Sequence, residues 1–293
     1  MNQVVSAATG GTPAVEFTFV AMLASEMSVG KVDLPSFPDI ALRVRRALQD
    51  ERASVDTIVR VVGAEPALAA RLLRMANSAA LKGSGARITE LRLAIARLGF
   101  DLLRSSAISY AMLQLSQAEA LQHIREPLRA LWQRSVLVAA MAHVVARRLT
   151  RVNPDAAALA GILHGIGKLF IRVRAIEYPA LFSTPDAYGR IEQSWHANIA
   201  KALLENWEMA EEIVAAVHLH EDLDHEHEGE ADLTDVLIVA NLLVNFRLQP
   251  QAIELSLQGV AAANRLGLEI AAYPQLLTES ANEIEALRSA LGS

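Results

Sequence analysis

Eight histidines and no cysteine make up the metal- and proton-handling inventory of this 293-residue chain, beside Asp+Glu 33 and Lys+Arg 27. His218, His220, His225 and His227 crowd into one stretch with Glu221, Asp222, Asp224, Glu226 and Glu228 between and around them. Neutral imidazoles and carboxylates are what a zinc-class ion takes as ligands, so the composition is that of a metal tract. The spacing is not. A His-Glu-x-x-His helix starting at His220 needs its second histidine at 224, where the chain has Asp224. The tract therefore reads as a solvated acidic surface loop over residues 218–230, with adventitious metal binding as the alternative.

Other chemistries are excluded more firmly. Without cysteine there are no thiol nucleophiles, Cys-bearing zinc ribbons, iron–sulfur ligands or disulfide scaffolds. No Gly-x-Ser-x-Gly elbow occurs, and Gly83-Ser84-Gly85 is too short and too early to serve as one. The Gly161–Gly167 stretch lacks the phosphate-loop ending, because Gly167-Lys168 is followed by Leu169. No carboxylate pair stands out for glycoside or proton-transfer chemistry.

The net charge of -6 is unevenly laid out. Arg43 to Arg104 carries a local balance of +6, and the segment from Glu205 to the end one of -14. Solvated helix faces explain this most simply; a basic front offered to an anionic partner is the functional reading. Arg71, Arg74, Arg92 and Arg97 could touch phosphates across a helix–loop–helix, but the loop between Ala79 and Thr89 is longer than a DNA-reading turn. The acidic second half opposes a long duplex as well.

Helices must position whatever site exists. Leu68, Leu72, Met75 and Ala79 share one face behind Glu65-Pro66, with proline suited to the first turn. Ile40, Val44, Ala47 and Leu48 form an inward stripe, with Arg43, Arg45 and Arg46 largely outward. Ser54 caps Val55–Val62, which Gly63 ends; Thr89 caps a helix reaching Gly99; Asn153-Pro154 starts Asp155–Leu163. Lys82–Gly85 is a loop. Residues 1–15 read as a flexible leader, and 16–29 as an amphipathic helix with Phe17, Val20, Met22 and Met27 as its apolar content. Ile270–Leu291 reads as a closing helix kinked at Pro274. Alternating strand patterns are missing, so the fold class is all-α. No uncharged run reaches the roughly 18 residues of a membrane span, and the first residues lack a basic signal-peptide start, so a cytoplasmic protein with no membrane association is expected.

Two blocks carry a family signature. The first comprises Leu34-Pro35-Ser36-Phe37-Pro38, Pro66 through Ala79 with its Ala76-Asn77-Ser78, and Ile88-Thr89 through Leu98-Gly99. The second comprises Trp132-Gln133-Arg134-Ser135, Gly161 through Leu169 with Leu163-His164-Gly165-Ile166-Gly167-Lys168, then His196, Leu203 through Trp207, and Ala216 through His220. Over roughly residues 31–250 the chain resembles the HDOD family, bacterial signalling domains related to HD metal-dependent phosphohydrolases. The resemblance implies an N-terminal helical bundle packed on an HD-like bundle. It divides the chain into a leader and amphipathic helix (1–30), an N-terminal helical subdomain (31–118), an HD-like subdomain (119–250) and closing helices (251–293).

The same resemblance points to a degraded metal site. HD hydrolases hold a divalent ion with a first histidine, a His-Asp pair and a later aspartate, and the ion makes a hydroxide nucleophile. Here those positions are Arg134, His164-Gly165 and Asn241, which leaves His164, His196 and His220. A guanidinium roughly 5 Å from a divalent ion repels it by about 6 kcal/mol at an effective dielectric of 20. With the carboxylates at 165 and 241 lost as well, the expectation is no metal, no cofactor and no catalysis. The three histidines read first as hydrogen-bonded residues of a polar core. Arg134 and Lys168, with His164 and His196, form a candidate anion pocket for a nucleotide or second messenger. Trp132 and Trp195 are core residues or cleft lining.

The expected function is a non-catalytic bacterial signal-transduction module that binds partner signalling proteins, tied to cyclic-di-GMP, stress or motility, with packing between its two helical subdomains as the variable. With no receiver, GGDEF or EAL domain in this length, input and output are expected from other chains or ligands. The rival readings are a metal-dependent phosphohydrolase and a nucleic-acid-binding regulator.

Overall fold

A computed structural model describes residues 12–29, 39–50, 52, 54–78, 87–183 and 185–292. Leu34 through Pro38, Ala79 and the Lys82–Gly85 loop lie outside the described residues. Every regular element among those described is helical, so the all-α reading stands.

Helix α1 (Thr12–Ser28) begins inside the stretch expected to be a leader. Its face differs from the expected one: Phe17 is 76% exposed, while Phe19 and Leu23 are fully buried. The stripe was misassigned because apolar residues surround this helix on all sides, which leaves periodicity little to distinguish. The helix packs on the second half of the chain, with Phe19 edge-on to Tyr178 at 5.2 Å and Glu26 bonded to Arg174 at 2.6 Å.

Four helices build the first half: α2 (Asp39–Gln49), α3 (Val55–Gly63), α4 (Pro66–Ala76) and α5 (Leu91–Gln117). Ser54 caps α3 as its position demands, its side chain accepting from the Thr57 amide at 3.2 Å. Thr89 does not cap α5. That place falls to Glu90, whose side chain makes no cap bond. The helix also runs on past Gly99, where a φ of 73° breaks it into two segments that only glycine joins without strain. Asn77 explains the Ala-Asn-Ser block: its amide donates to the Leu73 and Ile88 carbonyls and its oxygen accepts from the Ile88 amide, at 2.7–2.8 Å. This clamp fixes the entry to α5.

The second half is built around α6 (Arg125–Leu149), buried along most of its length. Around it lie α7 (Pro154–Leu163), α8 (Ile166–Ala175), α9 (Pro185–Asn206), α10 (Glu211–Leu219) and α11 (Leu233–Phe246). Asn153 accepts from the Asp155 amide at 2.9 Å and starts α7; Asp232 and Asp235 form a reciprocal capping box on α11. Two glycines set the close approaches. A Cβ on Gly161 would sit 2.4 Å from the Ala139 Cα, and one on Gly167 would sit 1.9 Å from the His196 carbonyl oxygen. Hence α7 lies backbone to backbone on α6, and α8 on α9. The Pro154–Ala175 stretch is long and apolar enough to span a membrane by composition, but 89% of its most apolar window is buried inside the protein. An uncharged-run criterion misses it because Asp155, Lys168, Arg172 and Arg174 interrupt it.

The chain closes with α12 (Pro250–Leu257), α13 (Ala261–Arg265) and α14 (Tyr273–Gly292). Pro274 sits in the first turn of α14, where its missing N–H costs nothing, so the expected kink is instead a helix start. Helix α14 packs across α4, α5 and α6 and so touches both halves.

Candidate functional site

The pocket that the sequence motifs single out lies where α6, α8, α9, α10 and α11 converge, and its two sides are built differently. On the α6–α11 side the Arg134 guanidinium donates through Nη2 to Asn241 Oδ1 at 2.5 Å. This bond takes up the amide oxygen that stands at the later aspartate position. His164 ends α7, and its Nδ1 lies 2.7 Å from the Gly161 carbonyl oxygen. A carbonyl can only accept, so Nδ1 carries the proton. Burial, the neighbouring His220, and the cations Arg134 and Lys168 hold the His164 imidazole well below its ordinary pKa, with the Gly161 carbonyl pulling the other way. It is a neutral core residue.

Gly165 follows at a φ of -88°, which any residue adopts, so backbone geometry does not demand glycine there. Packing crowds the position instead. A Cβ at 165 would meet Ser135 Oγ at 2.9 Å and Leu131 Cδ1 at 3.0 Å, the ends of two α6 side chains that would have to turn aside for an aspartate.

On the α9–α10 side two imidazoles keep a different posture. His196 Nδ1 lies 3.0 Å from the carbonyls of Glu192 and Gln193, and His220 Nδ1 lies 2.7 Å from that of Val217. Both rings therefore turn their Nε2 atoms inward, and both residues are almost wholly buried, at 2% and 1% exposure. Among the described residues neither Nε2 is within hydrogen-bonding geometry of a partner. They face Glu221, at 3.3 Å from His196 and 3.5 Å from His220. The His196, His220 and Glu221 ligand atoms all lie within 4.8 Å of one another.

A cation already sits on that carboxylate. Lys168 Nζ donates to Glu221 Oε1 at 2.9 Å, and Gln193 Nε2 donates to Oε2 at 2.8 Å. Burial alone would raise the Glu221 carboxyl; the facing His196 and His220 side chains and Lys168 outweigh it and hold the group far below the usual carboxylate range.

These residues fit the HD metal pattern poorly. At the positions that the family resemblance gives to the first histidine, the His-Asp pair and the later aspartate stand an arginine, a histidine followed by a crowded glycine, and the asparagine that the arginine engages. The remaining trio has a donor set that suits a transition metal. An ion there would have to share Glu221 with the Lys168 ammonium, so no reaction step is assigned to a metal.

The HDOD domain model matches residues 34–223. The chain belongs to the HDOD family. Among solved structures, a Shewanella amazonensis SB2B protein provisionally named a metal-dependent phosphohydrolase is 22% identical, with a TM-score of 0.71 over 95% of this chain and 99% of that one. An HDOD domain protein of unknown function from Geobacter sulfurreducens is also 22% identical, with a TM-score of 0.61 over 94% and 97%. At such identities the likeness is one of fold. A curated relative, an uncharacterized protein of Treponema pallidum (strain Nichols), is 24% identical over 228 residues, 73% of this chain. The chain spans 42% of that relative's length.

For this HDOD chain the structure separates the candidate residues into groups. Arg134, His164, Gly165, His196, His220 and Asn241 do converge on one pocket. Lys168 joins them but is paired with Glu221, so its charge is not on offer to an anion. Glu221 itself was missed by sequence reasoning, hidden in the acidic run; its adjacency to His220 was the signal. The histidine tract is not one unit. His218 bonds Asn198 Oδ1 at 3.0 Å, His220 is in the pocket, and only residues 220–232 are loop. There His227 faces the Glu228 carbonyl with Nδ1 at 3.0 Å and Asp235 with Nε2 at 2.8 Å, and both contacts raise its pKa. With His225 and Asp232 it also forms a second, more exposed group whose ligand atoms lie within 4.8 Å of one another.

The basic front is likewise mostly engaged. Arg71, taken as a phosphate contact, is 1% exposed and donates to Ser109 Oγ at 2.9 Å. Arg92 pairs with Asp56, and Arg97 donates to the Ala76 carbonyl at 3.3 Å. Arg45, expected outward, lies over the Trp207 ring at 6.0 Å. Trp132 is core: its indole donates to Ser109 Oγ at 3.2 Å. Trp195 is partly buried against the core.

Proposed function

We propose that this HDOD chain is a non-catalytic, cytoplasmic signal-transduction module that acts by binding a partner signalling protein. The observation that carries the reading is the Arg134–Asn241 bond beside a Gly165 whose Cβ position is crowded by Ser135 and Leu131. An HD hydrolase needs anionic ligands at those places to hold its ion. Here the ligands are replaced by a guanidinium, an amide and packed side chains, so the pocket serves as a polar tie. Arg134 joins α6 to α11, and Lys168 with Glu221 joins α8 to the end of α10.

A binding module needs a part whose packing a partner can shift. The seam between the halves is the candidate. Gln49 Nε2 donates to the Trp207 carbonyl at 3.2 Å, and Ser109 accepts from Arg71 and Trp132 while donating to the Leu291 carbonyl at 2.8 Å. The space among Ala41, Leu42, Arg45, Arg104, Ile108, Trp207 and Met209 is only about 10 Å³, so the seam is closed there. A partner would act by loosening or tightening these few polar links, not by filling an open cleft.

The test is turnover. With Mn²⁺, Mg²⁺ or Zn²⁺ added, generic phosphomonoesters and phosphodiesters should be hydrolysed no faster than in blanks. Metal-dependent hydrolysis that vanishes in Glu221→Gln would overturn the reading. The specific observation on that side is the His196, His220 and Glu221 trio, which makes metal-dependent phosphohydrolysis the second reading.

A further inference from the structure

Outside the pocket, on the far side of Arg134, a groove of about 520 Å³ runs between α6, α11 and α14. Ala130, Gln133, Arg134 and Leu137 line it from one stripe of α6, with Val244 and Arg247 from the end of α11 and Glu285 and Arg288 from α14. Its size is that of a small-ligand site.

Its charge is mainly positive, three arginines against the one carboxylate of Glu285. Among the described residues neither Arg134 nor Arg247 forms an ion pair with a carboxylate. Arg134 Nη2 is bonded to the neutral Asn241, and Arg247 Nη1 to the Val244 carbonyl at 3.0 Å. Burial lowers the Arg134 pKa, Glu221 raises it and Arg247 lowers it again, which places the two guanidiniums close enough to repel one another. Arg288 is different: Glu285 holds it through two bonds of 2.7 and 2.5 Å. Two unpaired guanidinium forks on one groove match a group with several acceptor oxygens and more than one negative charge. A carboxylate saturates with a single fork; a phosphoryl group takes two. The apolar stripe of Ala130, Leu137 and Val244 offers a wall for whatever carries that group.

We infer that this groove binds the phosphoryl group of a soluble small molecule, with Arg134 and Arg247 as its two anchors. Occupancy would draw Arg134 between Asn241 and the ligand and so couple the groove to the degraded pocket. The inference rests on the reading of the chain as a binding module but fails separately from it. A hydrolase would show itself by metal-dependent turnover, whatever this groove does.

The probe is inorganic pyrophosphate, titrated calorimetrically into the full chain at low ionic strength. One saturable site per chain is expected, weakened about tenfold in Arg247→Gln and in Arg134→Gln and unchanged in Arg129→Gln, an exposed arginine elsewhere on α6. Arg247 is exposed and makes one main-chain bond, so its variant should fold even if Arg134→Gln does not. No saturable binding, or binding indifferent to Arg247→Gln, overturns the inference. Sedimentation with phosphatidic-acid vesicles, lost in Arg247→Gln while pyrophosphate does not bind, would assign the groove to a lipid headgroup and overturn the soluble ligand.

Discussion

On the α6–α11 side of the pocket the guanidinium, amide and imidazole are tied locally, and Ser135 Oγ alone of the groups named there has no hydrogen-bond partner among the described residues. Arg134 bonds Asn241, His164 bonds its own helix, and Leu131 with Ser135 crowds Gly165. On the α9–α10 side His196 and His220 have Nδ1 atoms tied to carbonyls and Nε2 atoms aimed at Glu221, with the ligand atoms of the three residues within 4.8 Å of one another. There a lysine, not a rebuilt wall, supplies the positive charge. The difference teaches that the two sides of one pocket dispose of their polar groups in different ways. One side is tied by a guanidinium–amide bond and crowded by side chains beside Gly165. The other is occupied by a side-chain cation, and one substitution could free it.

The comparison can be broken at several points. The largest effect is expected from Gly167→Ala, because its Cβ would strike the His196 carbonyl and push α8 off α9. Overpacking against backbone should cost about 3–4 kcal/mol in chemical denaturation. A loss under about 1 kcal/mol would show that the α8–α9 approach does not set the position of His196. Next is Gly165→Asp, which restores the HD pair in a crowded space and should cost about 2–3 kcal/mol. If it is tolerated and the variant takes up Mn²⁺, the crowded side is not closed.

Acid should then expose the two sides unequally. His164 has a depressed folded pKa, so its contribution is complete above the unfolded value of about 6.5 and is lost as pH falls below it, by at most about 1.4 kcal/mol per pH unit. Glu221 is also depressed, so its contribution holds above about pH 4.3 and fades only below that. Stability measured against pH should therefore fall first in the His164 window, and His164→Gln should flatten that limb. A limb unchanged in the variant would move the titration to another group. The smallest stability change is expected from Lys168→Met, about 1 kcal/mol for a partly exposed pair. Its value lies in binding: the variant should gain Zn²⁺ affinity that the parent lacks, and failure to gain it would mean the trio is not a latent ligand set.

Much of this was legible in the sequence where a residue acts on its neighbours in the chain. The Ser54 and Asn153 caps, the helix start at Pro66 and the break at Gly99 all follow from local chemistry. Arg134, Gly165 and Asn241 were singled out by their motifs, and the structure brings Arg134 and Asn241 into contact. What stayed hidden depends on distant partners. Arg71 looks like a surface charge until Ser109, far along the chain, brings it inside. Glu221 looks like part of a solvated acidic run until Lys168 and Gln193 enclose it. Phe17 and Phe19 are equally apolar, and only the packing of α1 on the second half decides which is buried.

The most direct measurement is the metal content of the purified chain, by elemental mass spectrometry after dialysis without chelator. The account predicts substoichiometric metal, because Lys168 holds Glu221 and Arg134 with Asn241 replaces the other ligands. One equivalent of a transition metal per chain, lost in His196→Ala and in Glu221→Gln, would contradict it.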